Sequence, residues 1–322
     1  MKFDVVTIGG ASQDVYLQGE AMRATHDVRT KDEVTKFPLG EKIELDEIYF
    51  ETGGGATNGA ATFARQGLKT AFMGMIGDDP AGENVVKALN KEKIDTEFVV
   101  LHKKYHTMYS TFLLDPSGER TILIYRGATF DMKARDLDIK NIDAKWLYIT
   151  SLAGDFELLE ALLDHAVTHN IKVAIDPGAK ELEQAERMKK LLPKLELIKG
   201  NKEELSQLVT HSKDPKVVLR ELAAIVPYVM VTDGPKGSYA TDGSEVIQAG
   251  MYEDVPVIDR TGAGDAFGSG FVAKVIQGAS LEEAVIFGSA NSTSVVQLIG
   301  SKPGILRKNA KLHSMDLKIS SF

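Results

Sequence analysis

Short apolar runs rich in β-branched residues alternate with helical patterns along most of this chain, and no other feature limits its fold as strongly. Phe3–Ile8, Ala71–Ile76, Trp146–Thr150, Val173–Ile175, Leu195–Ile198 and Tyr228–Val231 each read as a strand bounded by turn residues. Between them, Ala56–Gln66 (stopped by Gly67), Ala81–Lys91, Phe156–His169, Leu182–Leu192, Glu203–Val209 and Val217–Ile225 place apolar residues at helical spacing. Alternation of this kind predicts an α/β fold: a three-layer, doubly wound, mostly parallel sheet with helices on both faces. Two longer helical patterns follow, Ala263–Ile276 and Leu281–Leu298. A chain of 322 residues can bury a sizeable core, as one large α/β domain or as a domain with a smaller appendage. Trp146, at the start of a strand, belongs to that core.

Two stretches break the alternation. Residues 15–52 are polar and charged, then end in Lys42–Phe50, which alternates like a one-sided strand; residues 107–125 read as two strands joined by an Asp115–Gly118 turn. Together they predict a small antiparallel β-sheet standing off the main body. The expected body is 1–14, 53–106 and 127–322, and the expected lid is 15–52 and 107–126. A sheet with one apolar face needs cover, as a lid over a cleft or against a second copy in a homodimer.

Composition excludes several functions. Cysteine is absent, so disulfides and thiolate metal sites are ruled out and a reducing compartment is the natural setting. The net charge is −8, and no Lys/Arg run exceeds two residues, which argues against a nucleic-acid partner. No apolar stretch approaches eighteen residues and the N-terminal apolar run is too short for a signal peptide; the expectation is a cytoplasmic protein without a membrane partner.

The chemistry lies in two glycine clusters. In Asp259–Phe271 (DRTGAGDAFGSGF) four glycines surround Asp265 at the mouth of an apolar helix, although an interior helical glycine costs about 1 kcal/mol relative to alanine. Glycines at a helix start let the backbone approach a ligand, and the free N–H groups there attract anions. Backbone amides beside a carboxylate are the parts phosphoryl transfer needs; a tight turn capped by an aspartate explains the spacing equally well. The second cluster, Thr52–Asn58 (TGGGATN), suits close approach of a small polar ligand, or simply a flexible strand-to-helix loop. His165 and His169 have a zinc-like i, i+4 spacing without the helical glutamate of the protease motif, and read as an exposed helix face. The charged residues at 181–190 read as a solvated helix face.

Taken together, Gly53–Gly67 (GGGATNGAATFARQG) and Asp259–Phe271 resemble the two signatures of the ribokinase-like, PfkB-type carbohydrate kinases. The likeness extends along nearly the whole chain, through Gly9–Asp14, Met75–Gly82, the N-x-x-E segment Asn201–Glu204 and the loop Val231–Gly237. It implies that Asp265 is the catalytic base and that Gly262, Ala263 and Gly264 form the anion hole for the transferring phosphate of ATP. Ser12, Asp14, Gly53, Gly54 and Asn58 would hold the acceptor. Asn201 and Glu204 would organise Mg2+, largely through water. Thr232, Gly234, Lys236 and Gly237, with Gly264, would line the nucleotide, and Asp259 and Thr261 match a place for a monovalent cation, K+.

The chain departs from ribokinases proper at Ser12, Gly55, Arg260, the Asp176-Pro-Gly178 turn and Thr150–Asp155, which lacks the sugar-facing glutamate. The implied reaction is therefore ATP-dependent phosphorylation of a primary hydroxyl on a sugar, with a nucleoside as the alternative acceptor and a catalytically silent ligand sensor as the remaining one. Lid aromatics Tyr16, Tyr49, Phe50, Tyr109 and Phe112 could meet a nucleoside base. Lys42, Arg120 and Arg126 could meet a phosphosugar, although solvated charge explains each of them.

Overall fold

The computed structural model describes residues 1–117, 119–209, 212–252 and 255–322. Gly118, the last residue of the expected Asp115–Gly118 turn, lies outside the described residues. The central sheet has ten strands, in the order Leu317–Ser321, Glu245–Ala249, Ser238–Thr241, Tyr228–Thr232, Leu197–Asn201, Lys172–Ile175, Ala144–Ile149, Phe3–Ile8, Thr70–Gly77 and Asp95–His102. All neighbours from Tyr228–Thr232 to Asp95–His102 pair in parallel, and the three strands beyond Tyr228–Thr232 pair antiparallel. From Phe3–Ile8 the chain winds outward to one edge. It then returns beside Phe3–Ile8 as Ala144–Ile149 and winds toward the other edge. The strand order reverses between these two, which opens a crevice at their carboxyl ends.

Helices cover both faces, as the apolar strands require. On one face Leu147, Ile149 and Val173 pack with Leu158, Leu159 and Leu162 of helix Phe156–His169. On the other, Val5, Trp146 and Tyr148 pack with Phe63 of helix Gly55–Arg65 and Phe271 of helix Ala263–Ile276. No helix among the described residues is long and apolar enough to cross a membrane.

One expected helix is broken for a visible reason. The Leu182–Leu192 pattern forms two short helices, Ala179–Leu182 and Ala185–Lys189. The expectation of a solvated face at 181–190 is overturned at Glu181, which is buried. Its carboxylate turns inward to accept from the backbone N–H of Leu152, Gly154 and Gly178 at 2.7–2.9 Å, and from Ser151 Oγ at 3.2 Å. Amide donors at the end of the Ala144–Ile149 strand thus find their acceptor in a distant side chain. The exposed face expected at His165 and His169 holds for His169, whereas His165 is half-buried and bonds the Ile142 carbonyl at 3.2 Å.

The small sheet has the order Glu47–Gly53, Ser12–Gln18, Met108–Leu114, Arg120–Tyr125. Its outer pairs are antiparallel and its central pair is parallel. The Ser12–Gln18 strand starts beside the crevice and runs out into this sheet. On it, Tyr16 is buried and stacks on Phe112 with ring centroids 4.3 Å apart. Ile48, Phe50, Leu123 and Tyr125 remain exposed on the sheet's other face and edge.

Candidate active site

The strands flanking the order reversal end in Gly9-Gly10 and Thr150, whose N–H bonds the Ile8 carbonyl at 3.0 Å. Beyond them lies a cleft of about 290 Å³, lined among others by Gly10, Gly54, Gly55, Thr150, Asp176 and Asp265. The two glycine clusters, about 200 residues apart in sequence, meet here.

Asp265 lies in the first turn of helix Ala263–Ile276, for which Gly262 is the N-cap. First-turn N–H groups have no intrahelical acceptor, so the turn concentrates donors and positive helix-dipole charge. Ala263 N–H makes a 3.3 Å bond to the Arg260 carbonyl, and Ala266 N–H bonds the Gly262 carbonyl at 2.8 Å. Asn58 Nδ2 donates to Asp265 Oδ2 at 2.8 Å, and Asn58 Oδ1 accepts from Ser301 Oγ at 2.9 Å. One carboxylate oxygen is thereby fixed. The other, Oδ1, faces the glycine turn, where a methyl on Gly55 would stand 3.4 Å away. Asn58, expected to hold the acceptor, spends its amide on the orientation of Asp265.

Asp14 is 3% exposed and accepts from Ser12 Oγ at 2.7 Å. Burial raises its pKa above the ordinary carboxylate value, with Ser12 and the nearby Lys302 ammonium opposing. The neighbouring strand must come very close: a Cβ on Gly53 would lie 1.9 Å from Asp14 Oδ2. Gly53→Ala is therefore expected to lose about 1–3 kcal/mol of stability through overpacking and to weaken acceptor binding while ATP still binds. Chemical denaturation and calorimetric titration check this; parental stability together with parental acceptor affinity would refute it.

Two buried lysines complete the charge arrangement. Lys302 Nζ donates to the Thr52 carbonyl at 2.5 Å, and burial brings its pKa down to about 8. Lys199 projects from the Leu197–Asn201 strand, is 6% exposed, pairs with Asp176 and donates to the Gly264 carbonyl at 3.2 Å. Burial opposes the charge of Lys199, but Asp176 and Asp265 outweigh it and keep its pKa above the usual value. Burial pushes Asp176 up to about 6, with Lys199 opposing. This lysine also explains a helix glycine: a Cβ on Gly268 would stand 2.5 Å from Lys199 Cδ.

Asn201 and Glu204 cap each other. Asn201 Oδ1 accepts from Glu204 N–H at 2.8 Å, and Glu204 Oε2 accepts from Asn201 N–H at 2.9 Å. Glu204 also lines the cleft. No group of three or more His, Cys, Asp and Glu that could hold a metal occurs among the described residues. A single carboxylate beside bound phosphates fits a magnesium ion that keeps most of its waters. Thr232 pairs in register with Asn201 on the next strand, and Gly234–Lys236 turns directly after it, with Lys236 exposed. The Asp233 N–H to Gly237 carbonyl bond of 2.8 Å closes that turn.

Asp259 is fully buried; its Oδ1 accepts from Thr261 N–H at 2.9 Å and Thr261 Oγ1 at 2.6 Å, and its Oδ2 from Gly300 N–H at 3.0 Å. Of the basic residues considered for a phosphosugar, Arg126 lines the cleft mouth with its guanidinium over the Phe130 ring, Arg120 turns toward Asp259, and Lys42 is exposed.

A carboxylate beside the donor-rich end of a glycine-opened helix, at a cleft beside the strand-order reversal, is an arrangement that phosphoryl transfer to an alcohol group can use. The description of the pfkB family carbohydrate kinases matches residues 13–307, and the chain belongs to that family. It is 26% identical to a ribokinase of Arabidopsis thaliana across 98% of this chain and 82% of that one. It is 31% identical to a fructokinase of Vibrio alginolyticus across 69% of this chain and 75% of that one. The solved Arabidopsis thaliana ribokinase complexed with ribose and ATP superposes with a TM-score of 0.74 at 24% identity, over 96% of this chain and 97% of that one, which establishes the shared fold.

Proposed function

We propose that this chain transfers the γ-phosphate of Mg·ATP to a primary hydroxyl of a sugar. The observation that carries the reading is Asp265, fixed through one oxygen by Asn58 while the other lies beside Gly55, with Asp265 and Gly55 both lining the cleft. Asp265 removes the proton from the acceptor hydroxyl, the freed oxygen attacks the γ-phosphorus, and ADP leaves as the phosphate ester forms. First-turn N–H groups at Gly262–Asp265 stabilise the charge on the transferring group. Asn201 and Glu204 would hold magnesium, largely through water, and the bound ion would supply charge that offsets the phosphates. Thr232–Gly237 borders the nucleotide, and Ser12, Asp14, Gly53 and Gly54 hold the sugar hydroxyls.

The body formed by 1–14, 53–106 and 127–322 carries the catalytic groups, and 15–52 with 107–126 forms the lid. Exposed apolar side chains on the lid give it a surface for a homodimer, and the absence of cysteine suits a reducing cytoplasm.

An ADP-release assay over pentoses, hexoses and nucleosides tests the acceptor. A sugar that saturates at low concentration is the expected result. Saturation by a nucleoside alone would replace the sugar reading, and absence of turnover with every acceptor would overturn the assignment.

A further inference from the structure

The lid meets the phosphate-binding turn through two adjacent and oppositely arranged ion pairs. Arg120 Nε, at the start of the Arg120–Tyr125 strand, lies 3.9 Å from Asp259 Oδ1. Beside it, Arg260 Nη1 lies 3.2 Å from Glu119 Oε1. The two pairs differ in setting. Glu119 and Arg260 are exposed, so their pair contributes little. Asp259 is wholly buried, and Arg120 Nε is itself buried without a hydrogen-bond partner.

A buried carboxylate needs a counter-charge as well as hydrogen bonds. Thr261 and Gly300 present N–H and O–H donors to Asp259, and none of these groups carries charge. These contacts are hydrogen-bond donors to the carboxylate and leave its charge unbalanced. The guanidinium of Arg120 is the positive group this structure pairs with Asp259. The same patch of lid is packed down independently: Tyr16, Phe112 and Leu114 cluster with Ile299, the residue before Gly300.

We infer that Arg120 is a positioning residue for the anion hole, supplying the charge that holds Asp259 and, through its bonds to Thr261 and Gly300, the turn that opens helix Ala263–Ile276. This rests on the reading of that turn as the phosphate site. It makes seating of the lid and alignment of the phosphate-binding amides a single event. At 3.9 Å the pair lacks a hydrogen bond by about 1 Å, so a small inward movement of the lid strand completes it.

The test compares Arg120→Met, Arg120→Lys, Asp259→Asn and the double variant Arg120→Met/Asp259→Asn. Misplacement of a catalytic group by about 1 Å can cost on the order of 10²-fold in rate, and a loss of that order in kcat is expected for Arg120→Met, with the acceptor KM nearly unchanged. Arg120→Lys should recover much of it, and the double variant should be no worse than the poorer single one, because both act through one contact. Potassium adds a second readout. The parent rate should be nearly equal in potassium and in tetramethylammonium, whereas Arg120→Met should gain from potassium. Strong potassium activation of the parent, with Arg120→Met unchanged in kcat, would overturn the inference. Hydrogen exchange at the amides of 261–266, measured without any substrate, should be faster in Arg120→Met. Unchanged exchange would also overturn it, and this readout stands even if no acceptor supports turnover.

Discussion

Asp265→Asn is expected to lower turnover by about 10²–10⁴-fold, the contribution of a positioned general base, while ATP still binds. The loss should be complete in character, because Asn58 Nδ2 donates to Asp265 Oδ2. An asparagine at 265 would turn its carbonyl oxygen to that donor and present its NH2 to the cleft. A hydrogen-bond donor then stands where the acceptor hydroxyl needs a proton acceptor. The contacts proposed for ATP, at the helix amides and at Thr232–Gly237, do not involve that side chain. Initial rates with a saturating sugar, beside calorimetric titration of ATP, separate the two effects. A variant with parental kcat would remove Asp265 from the role of base.

The second large effect is structural. Lys199→Met is expected to destabilise the fold by about 3–5 kcal/mol, the usual result of deleting one member of a buried ion pair. It leaves Asp176, already pushed up to about 6 by burial, without its opposing cation, and withdraws the donor at the Gly264 carbonyl. Asp176 should then be protonated at neutral pH, and kcat should fall because the turn before Asp265 loosens. Replacing both members, Lys199→Met with Asp176→Asn, should restore part of the stability, since removal of a whole pair is often near neutral. Urea denaturation gives both numbers. A loss below about 1 kcal/mol for the single variant would show that the pair is not the constraint described.

Apart from the half-buried edge strand Asp95–His102, which was missed, the parallel body was legible because its strands are buried on both faces and so are nearly continuous apolar runs. The strands Ser238–Thr241, Glu245–Ala249 and Leu317–Ser321 were missed for the complementary reason. They are short or mixed in polarity, and their status as strands comes from the partner each one finds. In the active site, Asp265 and the glycine clusters could be read as motifs. The groups that orient them could not. Asn58 and Asp265 are 207 residues apart, and Ser301 is 243 from Asn58. Lys199 did leave a signal, a lone cation in the apolar run Leu197–Gly200, but its partner Asp176 directly follows the adjacent strand Lys172–Ile175 and no spacing rule links them. Glu181 was hidden among charges that do face water.

The Ser12–Gln18 strand begins at the crevice and continues into the small sheet, carrying Asp14 with it. The groups proposed to recognise the acceptor therefore sit at the junction of body and lid, on or beside strands that run on into the small sheet, whereas the helix proposed to perform the transfer belongs to the body alone. Such a division makes the protein separable for evolution or engineering. Exchange of the lid together with Ser12–Asp14 and Gly53-Gly54 for those of a relative would alter which alcohol is accepted and leave the phosphate chemistry in place, provided that Arg120 and the Tyr16–Phe112 stack travel with the graft.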